Sequence, residues 1–407
     1  MPNNICFITH QLEHLHNVSV SISFKAGSLY ESKYNNGISH LVEHLFFRQL
    51  SDLYQESLYF NMQKIGGEIT GKTYCDYVTF SINVIPQYLY DALDIMLKFF
   101  DDFEWSNSII LKEKEVVLRQ IENKAYSYNQ WIDSIYFDNT KYTLPIMGTK
   151  KTVKSLTAFE INSWKKEYFS PTNSCVTITG NFSNEFYDFL KQKPSIINNF
   201  GKKQDPVIEI APNFTKRNSD NYLTVINADS KLSEVVVLFD IKNSFDYESV
   251  KLITSILSDG CGSKLSMIMR EKYQLTDDIF TQLTSYCGFH RYSISYTVKN
   301  KNIFNSIDIL FKIINEIKTD ITLNEYASTI PFFTDNQMID LDNCQKLNED
   351  YVLSDFILDI LPSDPIERAK KYKKILINDL IKIANEIFVE LFCNFAACIS
   401  YAVAYFC

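Results

Sequence analysis

Histidine is scarce in this chain, with six among 407 residues. No Lys/Arg cluster stands out either, and a net charge of −9 with a pI near 5.3 argues against a nucleic-acid role. The N-terminus lacks the basic segment and apolar core of a secretory signal. Nine cysteines (6, 75, 175, 261, 287, 344, 393, 398, 407) are odd in number, scattered and mostly within apolar runs, with no paired zinc-ligand spacing. That usage suits reduced thiols, so a cytoplasmic location is expected. The uncharged stretch from Leu391 to Cys407 is only 17 residues long, includes Asn394 and Ser400, and has no basic flank on its exit side. It reads as a buried terminal strand and not as a membrane span.

What is present is apolar material for two sizeable cores: 46% of residues are hydrophobic and 14% aromatic. Against the scarcity of histidine, the pattern His-x-x-Glu-His occurs twice, at His10–His14 and at His40–His44. Composition alone predicts it on the order of once in a few hundred such sequences, so context has to choose between the copies. The first copy lies between two stretches that alternate apolar and small polar residues, Ile5–Ile8 and Val18–Phe24. It reads as the turn of a hairpin, which does not align residues four apart.

The second copy follows the turn signal Asn35-Asn36-Gly37 and runs into Leu41, Val42, Leu45 and Phe46, as a helix with a buried face should. On a helix His40 and His44 stand one above the other, with Glu43 beside them. Two neutral imidazoles suit Zn²⁺, and a non-ligating Glu suits the proton acceptor for a water attacking a carbonyl. This inverted order is a metallopeptidase signature.

Along the chain, helices are expected at Glu56–Ile65, Tyr88–Phe100 (opened by Pro86), Ser108–Tyr126 and after the capping box Thr157-Ala158-Phe159-Glu160. Strands are expected at Gly66–Thr73, Tyr77–Val84 and Ser174–Thr179. Residues 202–220, with two prolines and mixed charges, read as a linker between a domain at 1–201 and another at 221–407. The second half repeats the grammar of the first: strands Tyr222–Asn227, Glu234–Asp240 and Arg291–Val298, and helices Tyr247–Leu257, Leu265–Lys272 and Asn378–Phe388. The expected fold class is α+β, two duplicated domains with helices on one face of a mainly antiparallel sheet.

Several blocks in this order resemble the pitrilysin family of zinc peptidases, which includes insulin-degrading enzymes, mitochondrial processing peptidases and short bacterial relatives. They are Lys25–Glu31, Gly37–Phe47, Gly66-Gly67-Glu68, Glu113–Gln120, Tyr168–Asn173, Ser263-Lys264-Leu265 and Arg270-Glu271-Lys272. The resemblance implies a clamshell of four homologous domains, of which this chain supplies half. It implies His40 and His44 as zinc ligands, Glu43 as the base acting on zinc-bound water, and Glu113 as a carboxylate supporting the metal site. The family's third ligand is a Glu seven residues after that carboxylate, almost two helical turns on. Here that position is Gln120, whose amide oxygen can ligate but brings no charge. Glu122 is the nearby substitute, about 200° further round the helix, and Gln120 is preferred.

A second departure is Thr70-Gly71-Lys72-Thr73, where the family has an Asn-Ala pair on the strand that aligns the substrate backbone. An extended peptide can still be bound by strand addition. A third concerns Arg270: the family pairs this Arg with a Tyr seven residues on, and here that position is Asp277. Two functions follow. One is a zinc endopeptidase that cuts peptides or precursor leader segments. The other is a weakly active or inactive peptidase-like subunit, retained for peptide binding or assembly. The missing Tyr points to a heterodimer with a second pitrilysin-like chain in preference to a homodimer, because an ionised carboxylate cannot donate to an oxyanion.

Overall fold

A computed structural model describes residues 5–53, 58–123, 132–133, 136–137, 141–192, 222–225, 231–241, 245–286, 289–358, 365–388, 394–398 and 403–406. Two compact units emerge, one made of residues 1–215 and 340–362, the other of 216–339 and 363–407. The linker expected at 202–220 lies outside the described residues.

In the first unit, β1 (Cys6–Gln11), β2 (Val18–Phe24), β3 (Glu68–Thr73), β4 (Val78–Val84) and β5 (Ser174–Gly180) form one sheet in the order β1-β5-β2-β4-β3. β1 and β5 run parallel and the other neighbours antiparallel. Because side chains alternate along a strand, Val20, Ile22, Val176, Ile178, Phe80 and Ile82 all point to one face, where they are buried. The helices Ile38–Leu53, Leu89–Leu97, Asn107–Asn123 and Ala158–Tyr168 contribute to the same core. The last starts at the expected capping box, with Thr157 and Glu160 each bonding the other's backbone N–H.

Phe46 is the hub of this core. Its ring lies 4.8 Å from Phe99, 5.2 Å from Trp105, 5.4 Å from Phe169 and 5.6 Å from Phe80, centroid to centroid. Truncation of such a residue costs about 3–5 kcal/mol. With Leu41, Val42 and Leu45 it fixes which side of the Ile38–Leu53 helix faces the sheet, and so which way His40 and His44 face.

The opposite face of the sheet is lined by Ser19, Ser21, Ser23, Thr79, Ser81, Thr177 and Thr179, all buried. Its cover comes from residues 340–362, which sequence position had assigned to the 221–407 domain. The helix Cys344–Tyr351 places the fully buried Asn348 over the hydroxyls. Asn348 accepts from Ser21 Oγ (2.6 Å) and donates to Thr179 Oγ1 (3.1 Å), the Thr177 carbonyl (3.2 Å) and the Ser19 carbonyl (3.3 Å). Two of these hydroxyls are satisfied by a side chain distant in sequence, and Ser23 and Thr79 bond each other at 2.8 Å.

In the second unit, β6 (Tyr222–Val225), β7 (Leu232–Ile241), β8 (Ile279–Tyr286), β9 (Phe289–Lys299), β10 (Asn394–Cys398) and β11 (Val403–Phe406) form a sheet ordered β11-β6-β10-β7-β9-β8. Val235, Val237, Phe239, Tyr292 and Ile294 pack with the helices Tyr247–Ser258, Ile303–Ile317 and Ile377–Ile387. The segment expected as a helix at Leu265–Lys272 is a π-helical turn, Ser266–Lys272. The uncharged terminal stretch supplies two sheet strands, β10 beside β7 and β6, and β11 beside β6. Among the described residues no helix is long and apolar enough to cross a membrane.

Candidate active site

The Ile38–Leu53 helix starts on Gly37, whose φ of 93° favours glycine and where a Cβ would meet the Met147 carbonyl oxygen at 2.7 Å. Its N-terminus is capped from outside by Glu31, a fully buried carboxylate that accepts from the N–H groups of Gly37 (2.7 Å) and Ser39 (2.9 Å) and from the Asn36 amide (2.8 Å). Burial pushes the Glu31 carboxyl above its usual value, and these donors work against the shift. His40 follows directly.

One turn apart, the His40 and His44 rings lie 4.8 Å from each other, centroid to centroid. Each turns its Nδ1 toward a carboxylate: His40 to Glu43 Oε2 at 3.2 Å, His44 to Glu113 Oε2 at 3.5 Å. Glu113, on the Asn107–Asn123 helix, is also paired with Arg48 through Oε1. Burial alone would raise the Glu113 carboxyl; hydrogen bonds from His44 and Arg48 outweigh it and hold the group low. Glu43 follows the same pattern, burial opposed and outweighed by His40 and by the Thr73 hydroxyl, which donates to Oε2 at 2.5 Å.

A proton on Nδ1, the atom that faces a carboxylate in each ring, leaves Nε2 as the lone pair that a metal ligand needs. His40 Nε2 faces Gln120 Oε1 at 3.1 Å. A proton on Nε2, a cation between the two atoms or an amide turned to donate each accounts for that distance. The separation is close to the edge of a tetrahedral zinc site, about 3.3 Å for ligands near 2.0 Å. The donor set therefore fits zinc, with Gln120 in place of the usual carboxylate. Among the described residues no three His, Cys, Asp or Glu side chains form a metal-binding group.

Glu122 points elsewhere and pairs with Lys150 at 3.0 Å, both more than half exposed. The first motif copy is engaged with residues 340–362. His10, on β1, stacks on Tyr351 (3.5 Å between centroids) and pairs with Asp355 at 3.2 Å, and His14 reaches the Leu341 carbonyl at 3.1 Å.

β3 is the edge strand of its sheet. Gly71 stands close to the motif helix: a Cβ there would lie 2.7 Å from both Glu43 Oε1 and a Phe47 ring carbon. The room left by the missing side chain is thus taken, on this face, by the protein itself. Thr70 and Lys72 point to the other face, where Lys72 pairs with Glu349 at 2.6 Å. Thr73 was not singled out by its sequence, although it alternates with Gly71 on the Glu43 side. In the second unit Arg270 pairs with its neighbour Glu271 at 3.2 Å.

An α+β unit whose first long helix carries two imidazoles and a carboxylate in this order, one imidazole facing a glutamine on a second helix, is of the inverted-motif metallopeptidase type. The chain belongs to the insulinase, or pitrilysin, family. Residues 7–150 match the insulinase family, peptidase family M16, and residues 155–330 match the peptidase M16 inactive domain. An uncharacterized zinc protease of Rickettsia felis is 22% identical over 79% of this chain and 76% of its own length. The beta subunit of the mitochondrial-processing peptidase of Saccharomyces cerevisiae is 24% identical over 40% of this chain and 36% of its own length. In fold, a protease from Helicobacter pylori superposes over 98% of this chain and 97% of its own, with a TM-score of 0.76 at 16% identity.

Proposed function

We propose that this chain is the zinc-site half of a metalloendopeptidase that cuts peptides or precursor leader segments held as an added strand on β3. The observation that carries the reading is the facing of His40 Nε2 and Gln120 Oε1 across 3.1 Å, with both imidazole Nδ1 atoms turned to carboxylates. His40, His44 and Gln120 would hold the metal. Zinc bound there supplies a Lewis acid that polarises the scissile carbonyl and makes water a better nucleophile. Glu43, buried and held ionised, takes the proton from the attacking water and returns it to the leaving amine. Glu113 fixes the tautomer and direction of His44. The free edge of β3 offers backbone donors and acceptors to an extended peptide, with Thr70 and Gly71 beside it.

A second reading, a weakly active subunit kept for peptide binding or assembly, is favoured by one feature: the amide at 120 brings no negative charge. Glu43→Gln tests the first reading, because it removes the proton acceptor alone. Cleavage should fall by at least about 100-fold with folding and zinc content retained. Cleavage that survives the change refutes the assigned base, and a purified chain that holds no zinc refutes the metallopeptidase reading.

A further inference from the structure

We propose that Thr73 and Gly71 of β3 set the working orientation of the Glu43 carboxylate, Thr73 as a donor to one oxygen and Gly71 by leaving the volume that the other occupies. The inference rests on the peptidase reading and adds two positioning residues to it. Glu43 is only 6% exposed, and its Oε2 is held twice, by Thr73 Oγ1 at 2.5 Å and by His40 Nδ1 at 3.2 Å. Oε1 has no hydrogen-bond partner among the described residues and points at the Gly71 backbone, where any Cβ would approach within 2.7 Å.

The two oxygens are therefore not equivalent. The terminal torsion of a Glu carboxylate is broad and nearly two-fold, so a carboxylate without fixed donors swivels between equivalent poses. Pinning Oε2 removes that freedom and presents the lone pairs of Oε1 to a proton. It presents them against the edge strand, where an added peptide would place its scissile bond. Alternation explains why these two residues act together: 71 and 73 share one face of β3, and that face looks onto the motif helix. The dimensions also say why a larger residue at 71 is unfavourable here. Its Cβ has Glu43 on one side and the Phe47 ring, at 2.7 and 2.9 Å, on the other, so the carboxylate must turn away.

The test uses the full zinc-loaded chain, with its partner subunit present if cleavage requires one, and a fluorogenic peptide. Thr73→Val should lower kcat by about tenfold or more while KM changes less than about twofold, and Thr73→Ser should restore most of the loss. Gly71→Ala should also lower kcat, with zinc content unchanged. A loss in Thr73→Val confined to KM, or a Thr73→Ser variant as impaired as Thr73→Val, overturns the proposal. A second measurement needs no cleavage. In thermal unfolding, the Tm shift of Thr73→Val should be markedly smaller in a Glu43→Ala background than in the wild type. Equal shifts in both backgrounds overturn the contact. A wild-type chain that never cleaves would defeat the peptidase reading alone, because the unfolding cycle still decides whether Thr73 holds Glu43.

Discussion

Gln120 Oε1 lies 3.1 Å from His40 Nε2, although 80 positions separate the two residues. The neighbouring carboxylate that could have replaced it, Glu122, is turned outward onto Lys150. The register of the Asn107–Asn123 helix thus directs a neutral amide, and not an available carboxylate, at the histidine.

Gln120→Glu should raise zinc affinity by about tenfold or more, because it adds a negative charge at the position the helix already directs at the metal. Glu122→Ala should leave affinity unchanged. Competition with a chromophoric chelator reads both, and the reverse pattern would mean that the ligand is Glu122.

Removing the support behind His44 should cost metal and not fold. Glu113→Ala frees Nδ1 of His44 and removes the carboxylate end of the ion pair with Arg48. Zinc affinity should drop about 10- to 100-fold, the usual range for losing a carboxylate behind a metal-binding imidazole. Titration of the variant against wild type checks this, and an unchanged affinity would show that His44 needs no such orientation.

Activity should depend on a second, different chain. By the family resemblance Asp277 occupies the position of the donor Tyr, and an ionised carboxylate repels a developing oxyanion. Mixing this protein with a pitrilysin-like partner that carries the Arg and the Tyr should raise cleavage well above that of either chain alone. Full activity from the isolated, homogeneous chain would rule out this division of labour.

Lys165 gives a pH signature away from the metal site. It is 8% exposed, its ammonium donates to the carbonyls of Phe103 (2.7 Å) and Asp101 (3.3 Å), and burial pulls its pKa from 10.5 down to about 8. Between those values the unfolded chain binds the proton and the folded chain has released it, so this group makes stability rise with pH across that window. Lys165→Met cannot titrate. The unfolding free energy of the variant relative to wild type should therefore fall by up to about 3 kcal/mol from pH 8 to 10.5. A gap that stays constant with pH would show that the lysine is not depressed.

The sequence was most legible where chemistry is local. The helix carrying His40, Glu43 and His44 follows from its spacing, its glycine start and its run of apolar residues, and the capping box at Thr157 and Glu160 is a contact between residues three apart. The two-unit α+β plan likewise came from periodicity and repeated order. Choosing between the motif copies also rested on context within a few residues, since a period of 3.6 aligns positions four apart and a strand or turn does not. By itself, then, the sequence determined the elements and the motif helix, while the third-ligand candidate Gln120 was implied by the family resemblance.

Tertiary structure decided everything that depends on residues far apart in the chain. Only the packing of two helices brings Gln120 rather than Glu122 to His40, and only the fold carries residues 340–362 back onto the first sheet. Asn348 bonds the buried hydroxyls of Ser21 and Thr179, more than a hundred and fifty positions away, which no periodicity announces. Thr73 looked like an ordinary strand residue, and Gly71 only like a gap beside a bound peptide, because a hydrogen bond to Glu43 and a missing Cβ against it acquire meaning only when strand and helix meet. The physical reason is the same in each case: a backbone repeat fixes which face a side chain occupies, while what it touches is set by the other element packed on that face.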